Sequence, residues 1–123
     1  MKQLCIFADE SNVICRVAKR ILASPEMTVY ESGTGAETLE MCRRSMPNIL
    51  VISTNLPDMS AAELIRQIRS VESNVTPRIL LSLVKVDVGA IMRARRAGAD
   101  GYMLKPFVRE QLLDCFRTVD IAA

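Results

Sequence analysis

Short apolar runs alternate with helical-period segments five times along the chain, and this alternation predicts the fold before any single residue is weighed. Leu4–Ala8 reads as a strand. From Ser11 onward, Val13, Ile14, Val17, Ala18, Ile21 and Leu22 recur at three-to-four spacing and predict one apolar helix face, with Pro25 marking the break behind it. Met27–Glu31 alternates as a short strand, Gly33 and Gly35 turn the chain, and Ala36, Leu39, Cys42 and Met46 stripe a second helix. Ile49–Ile52 is continuously apolar, the pattern of a strand covered on both faces. Ala61, Leu64, Ile65 and Ile68 form a third helix stripe. Pro77 opens a fourth strand over Arg78–Ser82, a helix from about Val88 to Ala97 stops at Gly98, and Gly101–Leu104 is the fifth strand. A last helix begins near Val108 and carries Leu112, Leu113, Phe116 and Val119.

A repeated βα unit implies parallel strands, right-handed crossovers and helices on both faces of the sheet. Five such units predict an α/β fold: a doubly wound five-stranded parallel sheet of flavodoxin-like type, strand order 2-1-3-4-5, with five helices. In such sheets ligands bind beyond the carboxyl ends of the strands at the topological switch point, here between strands one and three. Candidate chemistry is therefore sought at Asp9 and Glu10, Ser53, Ser82 and Lys105, which end or follow strands.

Composition narrows the function. At 123 residues, half of them hydrophobic, the chain supports one core and leaves no length for a separate effector domain, so residues 1–123 read as a single domain. A net charge of +2 gives no argument for DNA or a membrane surface as partner. The apolar runs are strand-sized, and Met1-Lys2-Gln3 does not lead into a secretory signal, so a cytoplasmic location is expected. The chain has no histidine, which removes the commonest general base, and it is read as not an enzyme. Cys5, Cys15, Cys42 and Cys115 are scattered one per element without a Cys-x-x-Cys, and read as core thiols of a reducing compartment.

The acidic pair Asp9-Glu10, the run Ser53-Thr54-Asn55-Leu56-Pro57-Asp58-Met59 and the closing Lys105-Pro106-Phe107 together resemble the receiver domain of two-component response regulators, of the CheY-like superfamily, over nearly the whole chain. In that family the acidic pair and a strand-three aspartate hold Mg2+, which shields a phosphoryl group passing from a kinase histidine to the aspartate. The lysine and a strand-four hydroxyl bind the phosphoryl oxygens. The resemblance thus implies an acidic pocket at Asp9 and Glu10, phosphate-site equivalents at Ser82 and Lys105, a switch aromatic at Tyr102 and a cis peptide before Pro106.

Ser53 departs from the pattern by standing at the phosphoacceptor position. A carboxylate there is ionised at neutral pH and nucleophilic without deprotonation, whereas a serine hydroxyl keeps its proton and requires a base. The expectation is a pseudo-receiver with no required cofactor and a weak or vacant Mg2+ site at Asp9 and Glu10. Its partner would be a protein, a histidine kinase or another signalling protein, meeting the helix 4, strand 5, helix 5 face. Ser60-Ala61 replaces the family's common Asp-Gly, and Asp58, following Pro57, should face away from the strand ends.

Other readings of the same residues stay open. Asp9-Glu10 with Ser11 also fits the N-terminus of a helix, Ser53 and Ser82 could satisfy each other, Lys105 could simply neutralise the acidic pair, and Tyr102 could cover the sheet edge. Arg93, Arg95 and Arg96 on the fourth helix suit a carboxylate-rich partner or a cyclic dinucleotide, or form a solvated face. A conventional phosphoacceptor carrying a substitution at Ser53 is a further alternative.

Overall fold

Polar residues capable of capping stand before the first four helical runs, and they set where those helices begin in the computed structural model, which describes residues 3–107 and 109–114. The elements in chain order are β1 (Gln3–Ala8), α1 (Asn12–Leu22), β2 (Met27–Ser32), α2 (Gly35–Arg44), β3 (Ile49–Ser53), α3 (Ala61–Arg69), β4 (Arg78–Leu83), α4 (Val88–Ala97) and β5 (Gly101–Leu104). A fifth helical segment occupies residues 109–114. Ser11, Thr34, Ser60 and Asp87 each accept the N–H three residues ahead, satisfying a donor that the first helical turn cannot. Gly98 ends α4 with φ 122°, a conformation that costs glycine no Cβ clash.

The five strands pair in parallel in the order β2-β1-β3-β4-β5, so the predicted architecture stands. Alternation along the strands divides the core. Ile6, Ala8, Leu50, Ile52, Ile79 and Leu81 pack with Leu39, Leu64, Ile65, Ile68 and Ala94 of α2, α3 and α4. Cys5, Phe7, Ile49, Val51 and Leu80 pack on the other face with Cys15, Ala18 and Leu22 of α1 and with Leu112. Every residue of β3 is buried, which is why its sequence reads as one unbroken apolar run.

Two helix stripes differ from expectation. Val13 and Val17 are exposed, at 68% and 44%, because α1 turns the row Cys15, Ala18, Leu22 toward the sheet. Ala36 is likewise exposed, and Gly35, Thr38, Leu39 and Cys42 form the inner row of α2. Val108, Cys115, Phe116 and Val119 lie outside the described residues. No helix among the described residues is long and apolar enough to cross a membrane.

Candidate functional site

Because all strands run the same way, β1, β3 and β4 deliver their C-terminal residues to one rim, with Ala8 opposite Ile52 and Ser53 opposite Ser82. Residues just past these ends meet there. Lys105 follows β5, its peptide bond to Pro106 is cis, and its backbone N–H bonds to Leu83 O at 2.8 Å. Its ammonium lies 3.0 Å from Asp9 Oδ2, 3.0 Å from Ser53 Oγ and 3.8 Å from Glu10 Oε2. Asp9, Ser53 and Lys105 are all buried, while Glu10 opens the pocket to solvent.

Ser53 is the hub. Its hydroxyl donates to Glu10 Oε1 at 2.7 Å and accepts from Lys105 and from the backbone N–H of Asn55 at 3.2 Å. One donor and two lone pairs are all a serine hydroxyl has. Asp9 Oδ1 accepts the N–H of Ser11 at 2.8 Å, so the acidic pair both enters the pocket and stiffens the start of α1, where Ser11 Oγ accepts from Ile14 N.

The two carboxyls respond oppositely to this setting. Burial raises the pKa of Asp9, against the pull of the Ser11 N–H and of Lys105. Burial is also the largest single influence on Glu10 and acts upward, but the Ser53 hydroxyl, its own backbone N–H and Lys105 together hold it below the usual carboxylate range. Asp9 and Glu10 are the carboxylates able to hold a cation here. Three of their four oxygens already accept a proton donor, and no group of three His, Cys, Asp or Glu side chains gathers as a metal site among the described residues.

Ser82 occupies the neighbouring position but does not pair with Ser53: its buried hydroxyl finds no hydrogen-bond partner among the described residues. The reading of two hydroxyls satisfying each other is corrected, because Ser53 is drawn to the charged pair instead. Tyr102 is half-exposed on β5, and Arg93, Arg95 and Arg96 are exposed on α4; none of these four joins the Ser53 network. Burial pushes the thiols of Cys15 and Cys42 up to about 11, and that of Cys5 higher still, so they remain protonated.

Sequence reasoning missed the Asn55 N–H, which carries no side-chain signature, and it gave Asp58 no task. Asp58 points away from the strand ends and accepts the N–H groups of Gly35 and Ala36 at 2.7 and 2.9 Å. Phe107 is legible in the sequence only as part of the closing motif, which does not foretell its packing: its ring meets Phe7 edge-on at 6.0 Å between centroids.

A doubly wound parallel sheet with an acidic pair, a hydroxyl and a buried lysine at its switch point defines a flavodoxin-like domain with a charged strand-end pocket. The chain belongs to the response regulator receiver domain family, whose pattern it matches over residues 5–117. It is similar to the response regulator MprA of Mycobacterium leprae, 31% identical over 111 residues that make up 90% of this chain and 48% of that protein. The cell cycle response regulator CtrA of Brucella ovis is 29% identical over 108 residues, 88% of this chain and 46% of that one. The chain spans about half the length of the curated relatives it matches. Among solved structures, a CheY-like receiver domain protein of Methanospirillum hungatei JF-1 superposes with a TM-score of 0.87 at 21% identity, covering 98% of this chain and 95% of that one, a likeness of fold. The chain is thus a receiver domain of two-component signal transduction, a class of module that interacts with kinases and other signalling proteins.

Proposed function

We propose that this receiver domain signals by docking to a protein partner in the cytoplasm, without aspartyl phosphorylation and without catalysis of its own. The observation that carries the reading is the full commitment of the Ser53 hydroxyl, whose proton goes to Glu10 and whose lone pairs face Lys105 and the Asn55 N–H. Attack on a phosphodonor needs a free lone pair and a base. Glu10 is the group placed to take the proton, and its lowered pKa makes it a poor base.

The same arrangement argues against a resident Mg2+. That ion requires a near-octahedral oxygen shell at about 2.0–2.1 Å. The pocket offers two carboxylates already engaged by Ser11, Ser53 and Lys105, with an ammonium standing among them. The donor set does not fit, and in this reading Mg2+ binds weakly or not at all.

Support for docking comes from the α4 and β5 side. Ala94 is the one buried residue of α4, while Val88, Met92, Tyr102 and Leu104 are exposed at 69%, 43%, 46% and 41%, leaving apolar side chains on α4 and β5 that a partner could cover. Arg93, Arg95 and Arg96 add positive charge to that helix, which favours an acidic protein surface as partner.

Incubation with acetyl phosphate and Mg2+, followed by intact mass measurement, tests the reading. The expected result is no gain of a phosphoryl group, and a stoichiometric gain on Ser53 would overturn it. Ser53→Asp, treated in parallel, reports whether the remaining pocket still supports phosphoryl transfer.

A further inference from the structure

We infer that Asp58 and Met59 form a latch that fastens the β3–α3 loop to the start of α2 and so holds the Asn55 amide on the Ser53 hydroxyl. The latch is independent of whether Ser53 accepts a phosphoryl group.

At the start of α2, Thr34 Oγ1 accepts the Glu37 N–H at 3.1 Å, and the Thr38 N–H bonds back to Thr34 O at 3.1 Å. The N–H groups of Gly35 and Ala36 are left with no acceptor in their own helix. Asp58 supplies one carboxylate oxygen to each, at 2.7 and 2.9 Å, from 23 and 22 residues away. A carboxylate at this end of a helix also meets the positive pole of the aligned peptide dipoles.

The second contact is steric. A Cβ on Gly35 would lie 2.5 Å from Met59 Cγ and 2.7 Å from Met59 Sδ, so the bare backbone of Gly35 is the seat on which Met59 rests. Two adjacent loop residues therefore hold two adjacent helix residues, one by charge and one by packing.

The loop connects this latch to the pocket. Residues 54–60 begin with the Thr54 N–H on Ser82 O at 3.0 Å and the Asn55 N–H on Ser53 Oγ at 3.2 Å, pass through buried Leu56, and end at Ser60, the cap of α3. Helix α2 is itself tied to the end of β2 by the 2.7 Å bond between Ser32 Oγ and Thr38 Oγ1. Asp58 is thus a positioning residue acting on Ser53 through the loop.

Amide hydrogen exchange on the full chain tests this in Asp58→Ala, Asp58→Asn and, for comparison, Thr34→Ala. In Asp58→Ala the amides of Gly35, Ala36 and Asn55 should all exchange faster, by a factor on the order of ten. Asp58→Asn, which retains one acceptor oxygen, should fall between it and the parent. Thr34→Ala should free Glu37 and leave Asn55 protected. Unchanged exchange at Gly35 and Ala36 would overturn the latch. Faster exchange at those two with Asn55 unaffected would overturn the link from the latch to Ser53. Release of Asn55 in Thr34→Ala equal to that in Asp58→Ala would assign the effect to fraying of α2.

Discussion

The Lys105 ammonium sits 3.0 Å from the Ser53 hydroxyl, 52 residues away in sequence, and the same ammonium sits 3.0 Å from Asp9. A neutral group therefore separates the cation from Glu10, whose Oε2 stands 3.8 Å off while Oε1 takes the hydroxyl proton. The pocket is a closed chain of donors and acceptors in which each buried polar side chain of the network has a partner, a condition that favours one arrangement over many. Ser82, just beside it, is outside the network and has none among the described residues.

Lys105→Met should expose the cost of this arrangement. Asp9 and Lys105 have side chains only 2% and 5% exposed, so removing the ammonium leaves a buried carboxylate without its counter-ion. Loss of one partner of such a pair costs about 3 kcal/mol. Urea denaturation should show a lower midpoint with an unchanged slope, and adding Asp9→Asn to the same chain should restore part of the loss. A single change as mild as a surface substitution would mean that Asp9 is relieved by other groups.

The acidic limb of the stability curve should depend on the two carboxyls with opposite sign. Glu10 has a folded-state pKa below its ordinary 4.5, so it contributes stability that is present above that value and is lost as pH falls through the folded pKa. Asp9 is raised above its ordinary 3.8, so its contribution is present below that value and is lost as pH rises through the folded pKa. Denaturation midpoints between about pH 3 and pH 7 should then fall less steeply toward acid in Glu10→Gln than in the parent, and more steeply in Asp9→Asn. Parallel curves for all three proteins would mean that the pocket shifts neither carboxyl.

How much of this was legible in the sequence follows from the range of each interaction. Ala61, Leu64, Ile65 and Ile68 are all buried along α3, because a helix stripe is a local property of spacing. Val13 and Val17 misled because α1 has two adjacent apolar rows, and the choice of Cys15, Ala18 and Leu22 as the inner one is made by the sheet. In the pocket, topology brings Asp9, Ser53 and Lys105 to one rim, and the strand pattern foretells that. It does not say which hydroxyl takes the ammonium. Ser53 and Ser82 are alike in sequence context, and the choice of Ser53 depends on how closely each hydroxyl approaches Lys105 and Glu10 in the folded chain. Asp58 had no local signal at all, since its partners are set by how α2 and the β3–α3 loop approach each other.

Arg69 is the other residue whose importance only the fold discloses, and it should be the most sensitive exposed-looking position away from the pocket. Its guanidinium donates from Nε and Nη2 to Gly98 O at 3.1 and 2.7 Å, from Nη1 to Pro77 O at 2.8 Å, and from Nη2 to Asp100 Oδ2 at 3.1 Å. Asp100 in turn accepts the Ile79 N–H at 2.9 Å. One planar fork therefore ties the end of α3 to the loop before β5 and to the entry of β4, at the end of the sheet opposite Ser53. Gly98 fits beneath it because a Cβ there would lie 3.0 Å from Arg69 Cγ and Nε. Arg69→Ala removes the four guanidinium bonds, leaving only the Ile79 N–H on Asp100, and should lower stability by about 2 kcal/mol. Arg69→Lys should recover little, since a single ammonium cannot reproduce the fork. The check is the urea midpoint of both variants together with amide exchange at Asn55. Lower midpoints with Asn55 still protected would confirm a role confined to the far end of the sheet, and an unchanged midpoint for Arg69→Ala would refute it.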